Sequence, residues 1–352
     1  MGIFEPLYES AQRRELLLVE GGICHYHLRR DSQLTIHEII STKPGAGSKM
    51  LRRLMATKGA KSLFAKCPSD LPSNEWYSKR GFSLVRREQI KSGRTLIHWR
   101  LDLETQPYRS NVGQNIELIY CGTASPMDEI ALDHGFLIGS QMPKSCRYRP
   151  YFVDQNWKEP NRTLYMEKLS EYRPRLATVL DFERMEQLDE VLSWAEEAAR
   201  YVETVIIIPK VNGGIKQLPY EIGGKPVRLG YSVPTKYAGT TVPKSDFAGW
   251  PVHLLGGSPS AQLELYHEMN VYSADQNYIA KIATDFCKYW GPSAGYGGRY
   301  LKATDGIDLP NAIYEAFRRS CLNVMTAWQQ AIELPQQKTS VHQLSLFKEG
   351  IA

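Results

Sequence analysis

The sequence predicts an α/β protein of two domains. Three observations support this: 42% of the 352 residues are hydrophobic, short apolar segments typical of strands recur along the chain, and amphipathic helical segments separate many of them. A chain of this length has room for two domains of ordinary size. The composition excludes a disordered or collagen-like protein.

Residues 1–105 form the first predicted domain, in which strands and short helices alternate. Two strands flank a turn at Gly21-Gly22, and a helix begins near Ser48, after a segment interrupted by Pro44 and two glycines. A second helix starts at the capping residue Ser73 and stops at Gly81. The predicted strands lie within 16–30, which holds two, and at 34–41, 62–67, 82–90 and 95–103.

Residues 116–333 form the second predicted domain, after a polar linker at 106–115. Its buried strands end in a polar residue or glycine, and longer helical segments connect them, which favours a parallel α/β sheet. We expect a TIM-barrel-like fold, with a doubly wound sheet as the alternative. The predicted strands are 116–122, 175–183, 204–211, 227–234, 251–257 and 270–277, and residues 334–352 form a disordered tail.

Ligands of parallel α/β folds gather at the carboxyl ends of the strands. In this sequence those ends hold Asp181, Lys210, Thr235, Gly256-Gly257 and Asp275. These residues are therefore the first candidates for a site in the second domain.

Positive charge is concentrated in the first third of the chain. Residues 1–110 hold 19 Lys and Arg against 11 Asp and Glu, a net charge of +8, whereas the remainder carries −3. Several cations are adjacent in sequence, including Arg52-Arg53 and Lys79-Arg80, and such pairs attract polyanions. We expect DNA or a phosphorylated cofactor as a partner, although solvated surface charges explain any single pair equally well.

The sequence shows no sign of a membrane protein or of a metal site. No apolar run approaches the length of a membrane span, and the N-terminus lacks the apolar core of a signal peptide. The six cysteines are widely spaced without a CxxC pair, so neither a disulfide framework nor a zinc site is expected. A cytoplasmic protein without a bound metal or a membrane partner is the expectation.

Two segments of the first domain resemble the GNAT family of acyl-CoA-dependent N-acyltransferases. ISTKPGAGSKML (40–51) is similar to the strand, glycine loop and helix of that family, and NEWYSKRGFSLV (74–85) to its Asn, aromatic, Tyr, Gly-Phe signature. The resemblance implies an α+β GNAT-like fold that binds acetyl-CoA or another acyl-CoA. The cofactor-binding residues it implies are Lys43, Gly45, Ala46, Gly47, Ser48 and Asn74.

The same resemblance implies catalytic roles for two residues. Tyr77 is placed near the thioester sulfur as general acid, and Glu38 acts as general base for an amine, directly or through water. A packed aromatic residue and a surface carboxylate are the respective alternatives. The two helices that cover the acceptor in larger members of the family are missing.

Three sequence segments of the second domain resemble the barrel of tRNA-guanine transglycosylases and their DNA-acting relatives. They are YFVDQNW (151–157), ATVLDFE (177–183) and the segment from HLLGGSP to YSADQN (253–277). The resemblance implies that Asp275 is the nucleophile that attacks a sugar, that Asp154 and Asp181 contact the base, and that Gly256 and Gly257 let the base approach the backbone. The zinc-binding cysteines of the tRNA enzymes are absent, and an α/β domain of unrelated chemistry is the alternative.

The tail contains a short motif that is typical of proteins that bind the DNA replication machinery. Its five residues match the pentapeptide with which bacterial proteins bind the DNA polymerase sliding clamp, and they lie in a segment without helical or strand periodicity. The residues are Gln343, Leu344, Ser345, Leu346 and Phe347.

Together these features indicate a DNA-associated nucleobase-modifying transferase of a bacterium or its phage. In this hypothesis the second domain recognises or exchanges a base, and the first transfers an acyl group to an amine on it. Two alternatives stay open: a GNAT acetyltransferase acting on a protein or small amine, and a non-catalytic DNA- or clamp-binding protein.

Overall fold

The computed structural model describes residues 4–103, 116–122, 125–142, 144, 146–235, 239–292, 299–300 and 309–333. By the contacts within it, the chain divides into two units: Met1–Asn111 with Glu117–Leu176, and Val112–Ile116 with Ala177–Ala352. The predicted linker at 106–115 and the clamp motif at 343–347 lie outside the described residues.

Residues 4–103 contain a mixed sheet with the strand order β1-β2-β3-β4-β6-β5. The elements are α1 Phe4–Gln12, β1 Leu16–Val19, β2 Gly22–Leu28, β3 Gln33–Ser41, α2 Ala46–Met55, β4 Ser62–Pro68, α3 Ser73–Lys79, β5 Ser83–Gln89 and β6 Thr95–Asp102.

Strands β3 and β4 run side by side only at their amino ends. They are parallel and pair from Gln33 with Ser62 to Ile36 with Ala65. Beyond that point β3 continues to Ser41 without β4, while β4 pairs on its other side with β6 as far as Pro68. The divergence coincides with a bulge in β3, where the register against β2 shifts at His37. A bulge bends and twists its strand, and here it leaves a gap in the sheet directly before the Gly45 loop.

The core of this sheet lies under α2. The helix buries Ala46, Met50, Leu51 and Leu54, which fall on one face because they recur at helical spacing. They pack with strand residues such as Leu34 and Leu63, both fully buried. The predicted helix thus forms, although it begins two residues before Ser48.

Eight parallel strands among the described residues close into a barrel. They are β7 Glu117–Cys121, β8 Leu137–Gln141, β9 Phe152–Asp154, β10 Leu176–Phe182, β11 Thr204–Pro209, β13 Lys225–Ser232, β14 Val252–Leu255 and β15 Val271–Gln276. The strand β12 Glu221–Ile222 pairs antiparallel with β13 as a hairpin, and the short β16 Lys288–Tyr289 pairs with β17 Arg299–Tyr300. Closure comes from the pairing of β11 with β13.

The α/β class and the barrel prediction are both confirmed. Sequence patterning identified six of the eight barrel strands and missed β8 and β9. Strand β9 has only three residues, which is too short for a period-2 pattern to be recognised.

Helices accompany the barrel strands. They are α4 Ser125–Asp133, α5 Arg162–Tyr172, α6 Leu188–Ala198, α7 Pro259–Glu268, α8 Tyr278–Phe286 and the 25-residue α9 Leu309–Glu333. In the part of the chain described here, none of the helices combines the length and apolarity that a membrane crossing requires.

Candidate functional site

The glycine loop of the first domain presents the amino end of α2 beside the gap between β3 and β4. Gly45 is the N-cap residue and has φ +84°, a left-handed conformation that glycine adopts without strain. No side chain caps the helix, and its first turn contains no acidic residue. The first-turn N–H groups and the helix dipole therefore favour an anion at this position.

Arg80 adds a cation to the same helix end. Its Nη2 donates to Ser48 Oγ at 2.7 Å, and its guanidinium lies 5.8 Å from the centre of the Trp76 ring. Gly47 is close to the same ring, since a Cβ there would lie 3.4 Å from Trp76. Arg80 stands in a basic pair of the sequence, but no pattern distinguished it from Lys79, which pairs with Glu75.

Two of the predicted cofactor residues have other partners. The Lys43 ammonium contacts Glu20 Oε1 at 2.7 Å, and the Lys43 side chain crosses the turn at Gly21. The Asn74 amide donates to the carbonyl oxygens of Pro68 at 2.7 Å and Leu71 at 2.9 Å. Its Oδ1 accepts from Trp99 Nε1 at 2.9 Å, so Asn74 ties the turn after β4 to β6.

Tyr77 lies in an aromatic cluster with only 4% of its surface exposed. Phe82 contacts its ring edge-on at 5.0 Å between centroids, and Trp99 stacks on it at 6.2 Å. Burial raises the pKa of the phenol well above its usual value, and the nearby Cys67 and Cys24 add to the shift. The hydroxyl is protonated at neutral pH, as an ordinary phenol is, and the raised pKa makes it a weaker proton donor.

Glu38 is exposed on the part of β3 that has left β4. It pairs in register with His25 on β2, and the rings of His25 and His37 lie 4.6 Å apart. Burial lowers the pKa of His37, and the charges of His25 and His27 lower it further. Glu38 and the imidazole of His37 therefore place groups that can accept a proton on the part of β3 that has left β4.

Asp154 is the last residue of β9, and a pocket follows it. The pocket has a volume of about 340 Å³ and is lined by Met142, Gln155, Asn156, Glu159, Pro160, Asn161, Leu164 and Tyr165. The backbone oxygen of Asp154 accepts from Met142 N at 2.9 Å. Gln155 is 3% exposed. The amide groups of Gln155 and Asn156, in the segment YFVDQNW, therefore line a concave surface at the carboxyl end of β9.

Asp181, near the end of β10, pairs with Lys210, which directly follows β11. The Lys210 ammonium donates to Asp181 Oδ2 and lies 3.4 Å from Glu183 Oε1. Burial lowers the pKa of Lys210, but the hydrogen bond and charge of Asp181 raise it by more, so the net shift is upward. This pair is a partly buried cation–carboxylate cluster at the carboxyl end of two adjacent strands.

Asp275, near the end of β15, lies beside His253 of the adjacent strand β14. Its Oδ1 accepts from Gly256 N at 3.3 Å and lies 3.2 Å from His253 Nε2. Gln262 of α7 donates to the backbone oxygens of both Gly256 and Asp275 at 2.8 Å. The carboxylate is therefore fixed by a strand and by the loop that leads into α7.

Gly256 and Gly257 form the turn after β14. Both have positive φ, +64° and +83°, and a Cβ on Gly257 would lie 2.6 Å from Val233. This conformation directs the Gly256 N–H at Asp275, so the glycines build the carboxylate site as well as leaving space above it.

No cluster of three His, Cys, Asp or Glu side chains that fits a metal ion occurs in the described parts of the chain. The predicted residues thus fall into separate groups: the helix end at Gly45 to Ser48, the Asp154 strand end, the Asp181–Lys210 pair and the Asp275–Gly256 loop. Sequence reasoning missed Arg80 and His253 as members of these groups.

A family model, described as a family of unknown function, DUF6610, matches residues 131–329. The chain belongs to this family. The residues that DUF6610 matches contain Asp154, Asp181 and Asp275 and exclude the six-stranded sheet. No curated protein sequence matches the chain.

Solved structures similar to this DUF6610 member include two acetyltransferases. A GNAT-family acetyltransferase from Bacillus cereus is 15% identical, with 23% of this chain and 62% of that chain covered and a TM-score of 0.22. A Bacillus subtilis acetyltransferase in complex with CoA is 20% identical, with 23% and 68% covered and a TM-score of 0.19. The chain thus spans less than two thirds of the first of these proteins.

Proposed function

We propose that residues 16–103 bind an acyl-CoA and transfer its acyl group to an amine. The observation that carries this proposal is the divergence of β3 and β4 beyond Ile36 and Ala65, directly before the uncapped helix end at Gly45. A gap between strands exposes backbone groups that can pair with an extended amide chain such as pantetheine. The helix end beside it suits the pyrophosphate of coenzyme A.

In the proposed acyl transfer, Tyr77 and Glu38 take the roles that the sequence resemblance implies. The amine nitrogen attacks the thioester carbonyl carbon, and the bond from that carbon to sulfur breaks. The thiolate takes a proton from the hydroxyl of Tyr77. Glu38 accepts the proton that the amine loses, directly or through water.

For the barrel we propose recognition or exchange of a nucleobase in DNA. Asp275 Oδ2 attacks the anomeric carbon of a nucleotide, the glycosidic bond to the departing base breaks, and that base takes up a proton. An incoming purine-like base then attacks the same carbon, releases the carboxylate and loses its own proton. Asp154 and Asp181 serve as contacts to the base.

The DNA and clamp partners are part of the same proposal. The net charge of +8 in the first 110 residues favours a polyanion, and the motif Gln343 to Phe347 suits an extended segment bound in an apolar groove. In this proposal a base in DNA receives its acyl group near the replication fork of a bacterium or phage.

Coenzyme A binding is tested by titration calorimetry with the intact protein. Arg80→Ala is expected to weaken binding of acetyl-CoA about tenfold, because one charge-assisted phosphate contact contributes roughly 1.5 kcal/mol. Lys79→Ala is the matched control, since Lys79 is adjacent and pairs with Glu75. Absence of binding by the unaltered protein contradicts the acyltransferase proposal and favours a non-catalytic binding protein.

Base modification is tested by mass spectrometry of nucleosides from DNA and tRNA of cells that express the protein or Asp275→Ala. A new nucleoside in DNA that disappears with the variant is the expected result. A new nucleoside in tRNA would correct the substrate, and acetylated protein without any new nucleoside would indicate an acetyltransferase acting on protein.

A further inference from the structure

His253 is enclosed in the barrel between two polar side chains of the neighbouring strand. It is fully buried on β14, and its strand pairs in register with β15 from His253 with Ser273 to Leu255 with Asp275. Its Nδ1 lies 2.6 Å from Ser273 Oγ, and its Nε2 lies 3.2 Å from Asp275 Oδ1. The imidazole thus bridges a hydroxyl and the carboxylate that we propose as the nucleophile.

The direction of these hydrogen bonds follows from Arg228 on β13. Arg228 Nη1 is 2.6 Å from Ser273 Oγ, and a guanidinium donates only. Ser273 is fully buried, and among the described residues its hydroxyl oxygen contacts only Arg228 and His253. The hydroxyl proton therefore points at His253 Nδ1, which accepts it.

With Nδ1 as acceptor, the ring proton of His253 is on Nε2 and points at Asp275 Oδ1. The same oxygen accepts from Gly256 N at 3.3 Å, so two donors converge on Oδ1. Oδ2 has no hydrogen-bond partner among the described residues, and the Asp275 side chain is 14% exposed. One carboxylate oxygen is held and the other is open to a ligand.

We propose that His253 is a positioning residue for Asp275, set by the chain of hydrogen bonds from Arg228 through Ser273. It orients the carboxylate so that Oδ2 faces the substrate, and Ser273 fixes the ring tautomer that this requires. The inference rests on the proposed base exchange for its catalytic meaning, but the hydrogen-bond arrangement has a test of its own.

The arrangement is tested by nitrogen-15 NMR of histidine-labelled intact protein. We expect the His253 signal to show a proton on Nε2 and none on Nδ1, and His253→Gln identifies the signal among the eight histidines. Ser273→Ala is expected to convert this single tautomer into a mixture, because Nδ1 loses its donor. A proton on Nδ1 in the unaltered protein, or an unchanged tautomer in Ser273→Ala, overturns the proposal.

The catalytic consequence is tested by the rate of nucleoside formation in matched variants. The amide nitrogen of glutamine replaces Nε2 of histidine in position, whereas that of asparagine lies near Nδ1, so His253→Gln is expected to retain activity that His253→Asn loses. The loss is expected to be about 100-fold, the effect of misplacing a reacting group by roughly 1 Å. Equal losses in both variants at equal melting temperatures contradict a positioning role.

His267→Gln serves as the control variant, because His267 is exposed on α7 and its ring lies against Tyr266. If neither the unaltered protein nor Asp275→Ala forms a nucleoside, the base-exchange proposal fails. The NMR result then still decides whether His253 holds Asp275.

Discussion

Arg53 and Asp133 form a two-point ion pair that joins α2 to the end of α4. Arg53 Nε lies 2.8 Å from Asp133 Oδ1, and Nη2 lies 2.7 Å from Oδ2. The two side chains are only 12% and 15% exposed. The adjacent Arg52 donates to the backbone oxygens of Leu132 and Asp133 at 2.7 Å. This basic pair therefore makes contacts within the protein, whereas the sequence alone suggested that it attracts a polyanion.

Arg53→Met is expected to lower the free energy of unfolding by about 2 to 4 kcal/mol, because it leaves the partly buried Asp133 carboxylate without its partner. Urea unfolding followed by tryptophan fluorescence measures the change. Arg87→Ala, at an exposed position of β5, is the control and should change stability by less than about 0.5 kcal/mol. A loss in Arg53→Met no larger than in the control would show that the pair contributes little.

Asn74→Ala is expected to destabilise the first domain by about 1 to 3 kcal/mol, because the carbonyl oxygens of Pro68 and Leu71 and the Trp99 indole lose a partner. The sequence resemblance placed Asn74 at the cofactor. If that role dominated, the variant would lose acetyl-CoA affinity at unchanged stability. Unfolding curves and calorimetric titration on the same samples distinguish the two results.

Stability is expected to depend on pH through Asp128 in α4. Burial raises the pKa of this carboxyl to about 6, while Arg147 lowers it and Glu129 raises it. Its Oδ1 is buried without a hydrogen-bond partner among the described residues. Because the folded-state pKa lies above the unfolded value, the ionised carboxylate costs stability above pH 6, and this cost disappears as the pH falls toward 4.

Asp128→Asn should therefore stabilise the protein at pH 7.5 (about 1.5 units above that pKa) by up to about 3 kcal/mol, and by progressively less in acid. Unfolding midpoints of the variant and the unaltered protein across this pH range measure the difference. Asp189→Asn, at an exposed position of α6, provides the comparison and should show no such trend. A stability difference that stayed constant with pH would falsify the assignment.

Clamp binding is expected to depend on two apolar residues of the tail. Leu346→Ala with Phe347→Ala should abolish binding to a purified bacterial sliding clamp, since these side chains fill the apolar groove in the proposed mode. Surface plasmon resonance with Lys338→Ala as a control for the tail measures the effect. Retention of binding by the double variant would exclude this motif as the contact.

Much of the first domain could be predicted from local pattern. The apolar spacing of Met50, Leu51 and Leu54 predicts the helix, and Gly45 predicts the turn before it, because both depend on residues close in sequence. The gap in the sheet could not be predicted in this way. It depends on the bulge at His37 and on which strand pairs with β4, and these are decided by contacts between distant segments.

In the barrel, the sequence by itself determined the class of fold, since buried strands that alternate with helices pack as a parallel sheet. It also placed Asp181 and Asp275 at carboxyl strand ends. Only the tertiary structure decided their partners. Asp181 pairs with Lys210. Asp275 contacts His253 and Gly256, which lie 22 and 19 residues before it in the sequence. Strand register determines these contacts, and register follows from the packing of the whole barrel, which a local pattern does not encode.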